Sequence, residues 1–453
     1  MMINVEEHVD RSPVGAYQVR VVLLCALVAL LDGLDIQAMG LVTPKLREEW
    51  GLDATAFGPV LSASLAGIMI GMMGFGLLGD RFGRRSILLI SFLLVGVSSI
   101  VTGWARSPEE LMIFRFLTGV GIGGCLPNAT ALTAEYVPAK RRAFFVTLMY
   151  SAVPLGGVIG GFVGGPIINA FGWPAVFYLG GIVPLILSVA IYLWLPESVR
   201  FLATRPGSEP EIGRILERID DGYVYKEGDS FQLAGGSPRG SLSQLFADGL
   251  AWTTIMLWVI FFFSLFGMYM LTSWLPTVFT QLGWEMSEAI RTVSYFWLGG
   301  ILGGLTAGWL IDRYGPYRVL VPGFILAGLL TAAIGSASGE GSLILLVVLA
   351  SGFGVVGAQL AMTALAADLY PTQIRSTGVG WGLGIGRIGA VLSPIIGGYA
   401  VAAQWSQADL FLAAAVPPFI CAAGAMLMAV AERRRRSCQV GTGINASAGW
   451  EAE

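Results

Sequence analysis

Apolar runs of about 20 residues recur along the whole chain, and this recurrence constrains the fold more than any other feature. A run of that length crosses the roughly 30 Å hydrocarbon core of a bilayer as one α-helix. The twelve runs lie near residues 20–42, 57–79, 86–104, 110–133, 143–170, 174–195, 251–279, 288–311, 318–338, 341–367, 377–403 and 407–431. The sequence therefore predicts an all-α integral membrane protein with twelve transmembrane helices.

The composition supports this class. Of 453 residues, 55% are hydrophobic and 13% are charged, whereas soluble proteins carry about 25% charged residues. Residues 1–18 are polar and contain no apolar core followed by a small-residue cleavage site, so the first run is expected to be a retained span. The four cysteines lack metal-ligand spacing and the single histidine, His8, precedes the first run, so we predict neither a metal nor another cofactor.

Lysine and arginine residues are distributed unevenly between the two sets of loops. With both termini inside, the cytoplasmic segments hold 21 of the 27 Lys and Arg residues and the external loops hold 4. An excess of this kind is typical of cytoplasmic loops. We therefore expect a multi-pass protein of the bacterial cytoplasmic (inner) membrane with both termini in the cytoplasm.

The runs form two related sets of six. Asp80 after the second run matches Asp312 after the eighth at an offset of 232 residues, and Pro138 matches Pro371 at an offset of 233. This spacing predicts a duplicated unit whose copies insert with the same orientation, and such parallel repeats place a substrate site near the membrane midplane, between them. The predicted units are an N-terminal six-helix half (1–195), a cytoplasmic linker with a short amphipathic helix near 210–219 (196–250), a C-terminal six-helix half (251–431) and a cytoplasmic tail (432–453).

Several motifs resemble those of a known family. Residues Gly79–Arg85 read Gly-Asp-Arg-Phe-Gly-Arg-Arg, and this loop, its weaker copy and the twelve-span duplication resemble the major facilitator superfamily. More narrowly, Asp32-Gly33-Leu34-Asp35 resembles the Asp-Gly-x-Asp signature of the aromatic acid:proton symporter family, as does the segment Ile374–Arg387. The resemblance implies the major facilitator fold and a proton-coupled symporter. Such a protein takes up benzoate, hydroxybenzoate or gentisate for degradation by alternating access between its halves.

Two carboxylates in the first run are predicted to carry the coupled proton. Asp32 and Asp35 are three residues apart, so both project from one face of the helix. A charged Asp at the centre of a spanning helix costs roughly 2.5–3.5 kcal/mol, so it needs a partner charge, a proton or a water-filled cavity. Alternatively, one or both pair with Arg115 and hold the first and fourth spans together. The sequence does not rank the two.

Two embedded arginines are predicted to bind the substrate. A guanidinium binds a carboxylate bidentately, which a lysine does less well. Arg387 on the eleventh span has no obvious acidic neighbour in its own half and is the favoured anchor, whereas Arg115 on the fourth span can instead form a static ion pair. Two Asp and two Arg leave the embedded charge balanced, which suits an anion that moves together with a proton.

Amide and aromatic side chains complete the predicted substrate site. Asn128 and Gln359 are embedded amides that can bond a ring hydroxyl, although an interhelical contact is the alternative. Trp381 is predicted to contact the aromatic ring. The other aromatic candidates are Tyr150, Tyr269, Tyr295 and Trp297, each of which can also serve as packing or as an interface anchor.

A further set of charged residues is predicted to act in gating, because the corresponding loop of the superfamily latches the two halves on the cytoplasmic side. In the second copy, Pro316 and Tyr317 replace Arg84 and Arg85, so latching is expected to depend mainly on the first half. The predicted gating residues are Asp80, Arg81, Arg84, Arg85, Glu135, Arg142, Asp312, Arg313, Asp368 and Arg375.

Other functions fit the sequence less well. Proton-driven drug exporters of the same superfamily carry a Gly-Pro motif on the fifth span, and here Val153 precedes Pro154, which counts weakly against export. The chain has no embedded nucleophile–base set for an enzyme and no Gly-x-x-x-x-Gly-Lys-Ser/Thr loop for a nucleotide-driven pump. The expected partners are a small aromatic acid anion, a proton and the lipid bilayer, with no nucleic acid, and a monomer is the default assembly.

Overall fold

The computed structural model describes residues 2–220, 222–232, 242–247, 249–336, 341–370 and 374–441. The elements before residue 195 are β1 (Met2–Asn4), α1 (Val5–Arg11), α2 (Ala16–Trp50), α3 (Ala54–Phe82), α4 (Arg84–Thr102), α5 (Pro108–Tyr136), α6 (Ala139–Tyr150), α7 (Ala152–Phe171) and α8 (Pro174–Trp194).

The remaining elements begin with short ones and continue with six long helices. They are α9 (Val199–Leu202), α10 (Glu209–Ile219), β2 (Ser230–Gln232), a 3₁₀ helix (Leu242–Phe246), α11 (Ala251–Gln281), α12 (Met286–Tyr314), α13 (Pro316–Ser336), α14 (Gly341–Leu369), α15 (Arg375–Ala402) and α16 (Gln407–Gly441). The two short strands β1 and β2 pair in parallel, with Met2 opposite Ser230.

The twelve predicted spans are confirmed as helices. Within the described residues, eleven helical segments are long and apolar enough to cross a membrane, α6 and α7 counting together as one of them. The twelfth is α2, a 35-residue helix that contains the first predicted run and both of its carboxylates. The structure departs from the prediction at Ser151, where the fifth span is divided into α6 and α7. Pro154 lacks the N–H that would bond the Tyr150 carbonyl, which explains a break at this position.

Local sequence signals set the ends of these helices. The Ser107 hydroxyl accepts a hydrogen bond from the Glu110 N–H at 3.3 Å, and Pro108 occupies the first turn, so α5 begins with a complete N-cap. Gly83 alone separates α3 from α4, with φ of +97°, a conformation that favours glycine. The α3–α4 connection is therefore tighter than the loop that the sequence predicts.

The same pairs of helices pack in both halves. In the first half α3 packs on α5 and α4 packs on α8, and the corresponding helices of the second half form the pairs α12–α14 and α13–α16. The pair α2–α7 likewise corresponds to α11–α15. The repeated packing agrees with the duplication that the sequence predicts. Between the halves, α2 packs on α11, α3 on α15 and α7 on α12.

The bundle has two ends that differ in how closely the halves approach. We call the end where α2 finishes at Trp50 the distal side, and the end where α3 finishes at Phe82 and α10 lies the linker side. In the distal half of the bundle, the Ser62 hydroxyl donates to the Val391 carbonyl at 2.6 Å and the Ser294 hydroxyl donates to the Val158 carbonyl at 2.7 Å. Both bonds join one half to the other. They close the distal side.

Glycine on α2 allows one of the close approaches between the halves. A Cβ placed on Gly40 of α2 would lie 3.0 Å from the Thr272 carbonyl oxygen of α11. On the linker side, by contrast, the rings of Phe82 and Tyr314 at the ends of α3 and α12 are about half exposed. The structure is therefore a bundle whose halves meet on the distal side and whose helix ends are accessible on the linker side.

The segment before α2 and the linker form a cap on the first half. The apolar face of α10 (Ile212, Ile215, Leu216 and Ile219) is buried in a cluster that also contains Val5 and Val9 of α1. This face is the one that the sequence predicts for the helix near residues 210–219. The cap is further held by an ion pair between Arg200 and Glu6 at 2.7 Å.

Candidate functional site

The two carboxylates of α2 are both buried, and their surroundings differ. Asp32 is 4% exposed and Asp35 is 6% exposed. The i, i+3 spacing puts them on one face of the helix, as the sequence predicts. Glycine between them brings α7 close, since a Cβ on Gly33 would lie 1.9 Å from the Val153 carbonyl oxygen.

Asp35 forms a bidentate ion pair with Arg115 of α5. The guanidinium donates from Nη1 to Oδ1 at 3.0 Å and from Nη2 to Oδ2, and it also reaches the Asp35 carbonyl oxygen at 3.3 Å. Arg115 is fully buried, and its guanidinium carbon lies 5.4 Å from the centre of the Phe177 ring. A bidentate buried pair of this kind holds α2 against α5, which is the alternative that the sequence left open for these two residues.

Asp32 has no comparable partner. Both of its carboxylate oxygens are buried, and neither has a hydrogen-bond partner among the residues that the structure describes. The residues close enough to interact with it electrostatically include Arg387 on α15, in the other half, as well as Asp35. A buried carboxylate without hydrogen bonds is costly and is therefore a position where a proton or a ligand has a marked effect.

Arg387 approaches this region from the second half. Its Nη1 donates to the Tyr269 hydroxyl of α11 at 3.1 Å. The approach depends on the close packing of α15 against α11, because a Cβ on Gly386 would lie 2.9 Å from the Phe261 carbonyl oxygen. Asp32 and Arg387 are therefore opposite charges presented by helices of different halves.

Two tyrosines border the same charges. The Tyr150 hydroxyl of α6 lies 3.1 Å from the Thr130 hydroxyl, and both Tyr150 and Tyr269 are near enough to Asp32 and Arg387 to interact with them electrostatically. Helices from both halves thus bring together one carboxylate, one guanidinium and two phenol groups. This set can bind an organic anion at the guanidinium and a proton at the carboxylate.

The sequence named both tyrosines only as aromatic candidates, and Thr130 was missed. A signal for it existed, because Thr130 lies two residues after Asn128 in the same apolar run. The break at Ser151, which ends α6 directly after Tyr150, was not predicted either.

The other predicted substrate residues lie in different settings. Asn128 donates from Nδ2 to the Phe75 carbonyl of α3 at 3.3 Å and to the Gly124 carbonyl at 2.8 Å, so it contacts a neighbouring helix in the way the alternative interpretation expects. Gln359 is 7% exposed on α14. Trp381 of α15 is 42% exposed and stacks on Trp258, with ring centres 6.0 Å apart.

Several predicted gating residues pair within the first half. Arg84 forms an ion pair with Glu135, which also accepts a hydrogen bond from the Ser198 hydroxyl at 2.6 Å. Arg142 lies 3.7 Å from Asp10 of α1. Arg84, Glu135 and Arg142 line a cavity of about 280 Å³ between the cap and the first half.

The remaining gating candidates lie at the helix ends. Arg85 donates to the Tyr192 carbonyl and lies over the Tyr192 ring, whereas Arg81 is exposed beside Phe82. Arg313 is exposed beside the rings of Trp309 and Tyr314. The side chains of Asp80, Asp312, Asp368 and Arg375 lie outside the described parts of the structure, although their backbones belong to α3, α12, α14 and α15.

The chain is similar to known proteins over most of its length. The family model described as Major Facilitator Superfamily matches residues 25–299 and 257–444. The chain is 39% identical to the 4-hydroxybenzoate transporter PcaK of Pseudomonas putida over 428 residues, which cover 94% of this chain and 95% of that protein. It is 37% identical to the gallate transporter of Pseudomonas putida (93% and 94% covered) and 32% identical to the benzoate transport protein of Acinetobacter baylyi (92% and 90% covered).

Solved structures share the fold. A bacterial homologue of the human lysosomal transporter Spinster, in an inward-facing and occupied conformation, superposes with a TM-score of 0.72 at 18% identity, covering 92% of this chain and 98% of the other. The D-xylose–proton symporter superposes with a TM-score of 0.71 at 18% identity, covering 91% and 97%. At this identity the likeness concerns the fold alone.

Proposed function

The chain belongs to the major facilitator superfamily, and from this premise we propose that it imports small aromatic carboxylates of the benzoate, hydroxybenzoate and gentisate class together with protons. The family and the curated relatives are transporters, so no enzymatic activity is proposed. The observation that carries the proposal is that two opposite charges on different halves interact electrostatically, the buried carboxylate of Asp32 and the partly buried guanidinium of Arg387. The names of the curated relatives supply the substrate class.

Competition for Arg387 couples the proton to the substrate. When Asp32 is charged, it attracts the guanidinium of Arg387 and competes with an incoming anion. When Asp32 carries a proton, that attraction is lost and the guanidinium is available for the substrate carboxylate. Proton and anion together leave the charge of the site unchanged, so the loaded site avoids an uncompensated buried charge when the halves move.

The other residues support this arrangement in different ways. Tyr269 holds the Arg387 guanidinium in position through its hydrogen bond. Tyr150 borders the part of the proposed site that receives the aromatic ring of the substrate. Asn128 fixes α5 to α3. We assign Gln359 and Trp381 to the walls of the proposed substrate site between the halves. Arg115 is engaged by Asp35 and holds the first half together, so the role of substrate anchor falls to Arg387.

The orientation in the membrane is part of the proposal. The Lys and Arg distribution favours both termini in the cytoplasm of a bacterial cell, with the linker side facing inward. The contacts on the distal side would then close the site to the outside, and the described state would be inward-facing. The ten gating residues, the division into halves at 195 and 251, and the monomeric state stay predictions of the sequence.

The test is uptake of labelled 4-hydroxybenzoate, benzoate and gentisate into proteoliposomes, with and without an inward proton gradient. Uptake of at least one of them that the gradient stimulates would support the proposal and identify the substrate group. Absence of uptake for all three, combined with efflux of a lipophilic cation under the gradient, would contradict it and favour an exporter of the same superfamily. Liposomes that carry the Arg387→Gln variant provide the control for passive permeation of the acids.

A further inference from the structure

A second cavity lies inside the first half and is lined by residues of that half. It has a volume of about 230 Å³ and is lined by residues of α2, α4, α5, α7 and α8. We call it the side pocket. Arg387 and Tyr269 belong to other helices and do not line it. Among the described residues, its lining is apolar apart from Asp32, Asp35 and the Cys125 thiol.

The side pocket exists because side chains are missing where α7 and α8 pass α2. Gly160 of α7 and Gly180 of α8 line it. A Cβ on Gly160 would lie 3.4 Å from Leu34 Cδ2, an ordinary contact, so this position has space for a side chain. The pocket therefore can be filled by substitution without disturbing the packing of the backbone.

The mouth of the side pocket faces the lipid. Val163 of α7 and Leu179 and Val183 of α8 line the pocket and are 47%, 45% and 42% exposed. Exposed apolar side chains in the middle of spanning helices contact acyl chains. A molecule dissolved in the bilayer can reach the pocket between α7 and α8 without passing between the two halves of the bundle.

The inner end of the side pocket carries an unsatisfied acceptor. Asp32 lines the pocket, is 4% exposed, and both of its carboxylate oxygens lack a hydrogen-bond partner. Asp35 also lines the pocket, but its oxygens are bound by Arg115. A hydroxyl donor at this position would satisfy a buried carboxylate, whereas an anion would be repelled by it.

Size and polarity together define the ligand. An engineered apolar cavity of about 150 Å³ binds benzene, so a cavity of this larger volume accommodates a ring with one small substituent. We propose that the side pocket binds a neutral single-ring phenol, which reaches it from the lipid and donates its hydroxyl to Asp32. This site differs from the central one, where a guanidinium selects an anion.

Occupation of the side pocket would inhibit transport. A phenol that donates to Asp32 stabilises the charged carboxylate and so opposes the protonation step. This consequence rests on the proposed function, because it requires Asp32 to carry the coupled proton. Binding to the pocket itself does not depend on transport and is therefore measured separately.

The experiment uses 4-fluorophenol and the full-length protein in lipid nanodiscs, with binding followed by fluorine NMR line broadening. The parent and the Gly308→Leu control should show saturable binding, because a Cβ on Gly308 meets open space elsewhere in the fold. Gly160→Leu should weaken binding at least about tenfold, the change expected from about 1.4 kcal/mol. Val183→Trp, which blocks the mouth from the lipid side, should do the same if Gly160→Leu does not fold.

Equal saturable binding by the parent and both pocket variants would overturn the proposal. So would broadening that never saturates in any protein, which indicates partition into lipid alone. Uptake of labelled substrate is then compared with and without 4-fluorophenol. Inhibition of the parent but not of Gly160→Leu would support the link between the pocket and Asp32. Failure of all substrate uptake would contradict the proposed function and leave the binding result valid.

Discussion

Asp32 and Asp35 lie one helical turn apart on α2, yet only the carboxylate of Asp35 accepts hydrogen bonds from the described residues. Asp35 receives two hydrogen bonds from the buried guanidinium of Arg115, within the first half. Asp32 receives none, and the arginine that influences it, Arg387, belongs to the second half. An aspartate and an arginine therefore form a direct ion pair within the first half (Asp35 and Arg115). Between the halves, Asp32 and Arg387 interact electrostatically without a hydrogen bond that the structure describes.

This difference between the two pairs indicates which of them can change during the transport cycle. An ion pair within one half moves with that half and persists when the halves rotate against each other. A pair that spans the halves alters its distance in each cycle, so it can respond to a proton or a substrate. This contrast is the basis of our proposal that Asp32 and Arg387 act in coupling and that Asp35 and Arg115 maintain the first half.

The largest effect is expected for Arg387→Gln. Removal of the guanidinium eliminates the anchor for the substrate carboxylate, and truncating one partner of a buried charge pair costs about 2–5 kcal/mol. Uptake at a fixed low substrate concentration should fall by about 100-fold or more, because about 2.8 kcal/mol, within that range, corresponds to 100-fold. The measurement is initial uptake in proteoliposomes at matched protein density. Arg387→Lys should restore part of it, because lysine keeps the charge but lacks the fork geometry.

An apparent affinity of Arg387→Gln within twofold of the parent would contradict this assignment. In that case the anchor would have to be sought elsewhere, with Arg115 as the first candidate.

A different effect is expected for Asp35→Asn. The substitution leaves the Arg115 guanidinium buried without its counter-charge, which destabilises the fold by about 3–5 kcal/mol. Thermal unfolding of the purified protein in detergent should show a clear loss of stability. The double variant Asp35→Asn/Arg115→Gln should recover much of it, because no unpaired charge remains.

The matched comparison is Asp32→Asn, which should be as stable as the parent or more stable, since it removes a carboxylate that lacks hydrogen bonds. If Asp32→Asn were destabilised as strongly as Asp35→Asn, the two carboxylates would have the same structural role. The contrast between them would then be lost.

The smallest effect is expected for Tyr269→Phe. The hydroxyl holds Arg387 at 3.1 Å, and a hydrogen bond to a charged group contributes about 1.5–3 kcal/mol, part of which water can replace in an open cavity. The apparent KM for substrate should rise by about tenfold or less, with a smaller change in maximal rate. Tyr295→Phe is the control, because the Tyr295 ring packs on Phe162 and makes no contact with Arg387 that the structure describes. Equal effects of the two substitutions would contradict a specific role for Tyr269.

Sequence patterns were sufficient for the architecture. Apolar runs of membrane-spanning length locate all twelve helices, since the bilayer leaves few alternatives for a backbone in lipid. Helices α2 and α16 continue to Trp50 and Gly441, beyond the predicted ends at 42 and 431. The four charged residues of the two pairs were identified because they are charges embedded in apolar runs. They are Asp32, Asp35, Arg115 and Arg387. Single positions such as the break at Ser151 were missed, because they depend on a lost backbone hydrogen bond near Pro154 inside an otherwise uniform apolar run.

The partners of the charged residues could not be predicted in the same way. Asp32 and Asp35 share one helix face, and their spacing to Arg115 in the sequence says nothing about which of them lies within reach. The choice depends on the rotation of α2 against α5, which the close approach of α7 at Gly33 also affects. Nor does the sequence show that Asp32, a carboxylate of the other half, interacts electrostatically with Arg387.

The most direct test of the account is proton movement driven by substrate in the Asp32→Asn variant. Proteoliposomes with an internal pH indicator are supplied with 4-hydroxybenzoate, and exchange of labelled for unlabelled substrate is recorded on the same preparation. The account predicts that Asp32→Asn exchanges substrate, because Arg387 remains available, but moves no protons and does not accumulate substrate under a gradient. The double variant Asp35→Asn/Arg115→Gln should still move protons. Accumulation and proton movement by Asp32→Asn at the level of the parent would contradict the account.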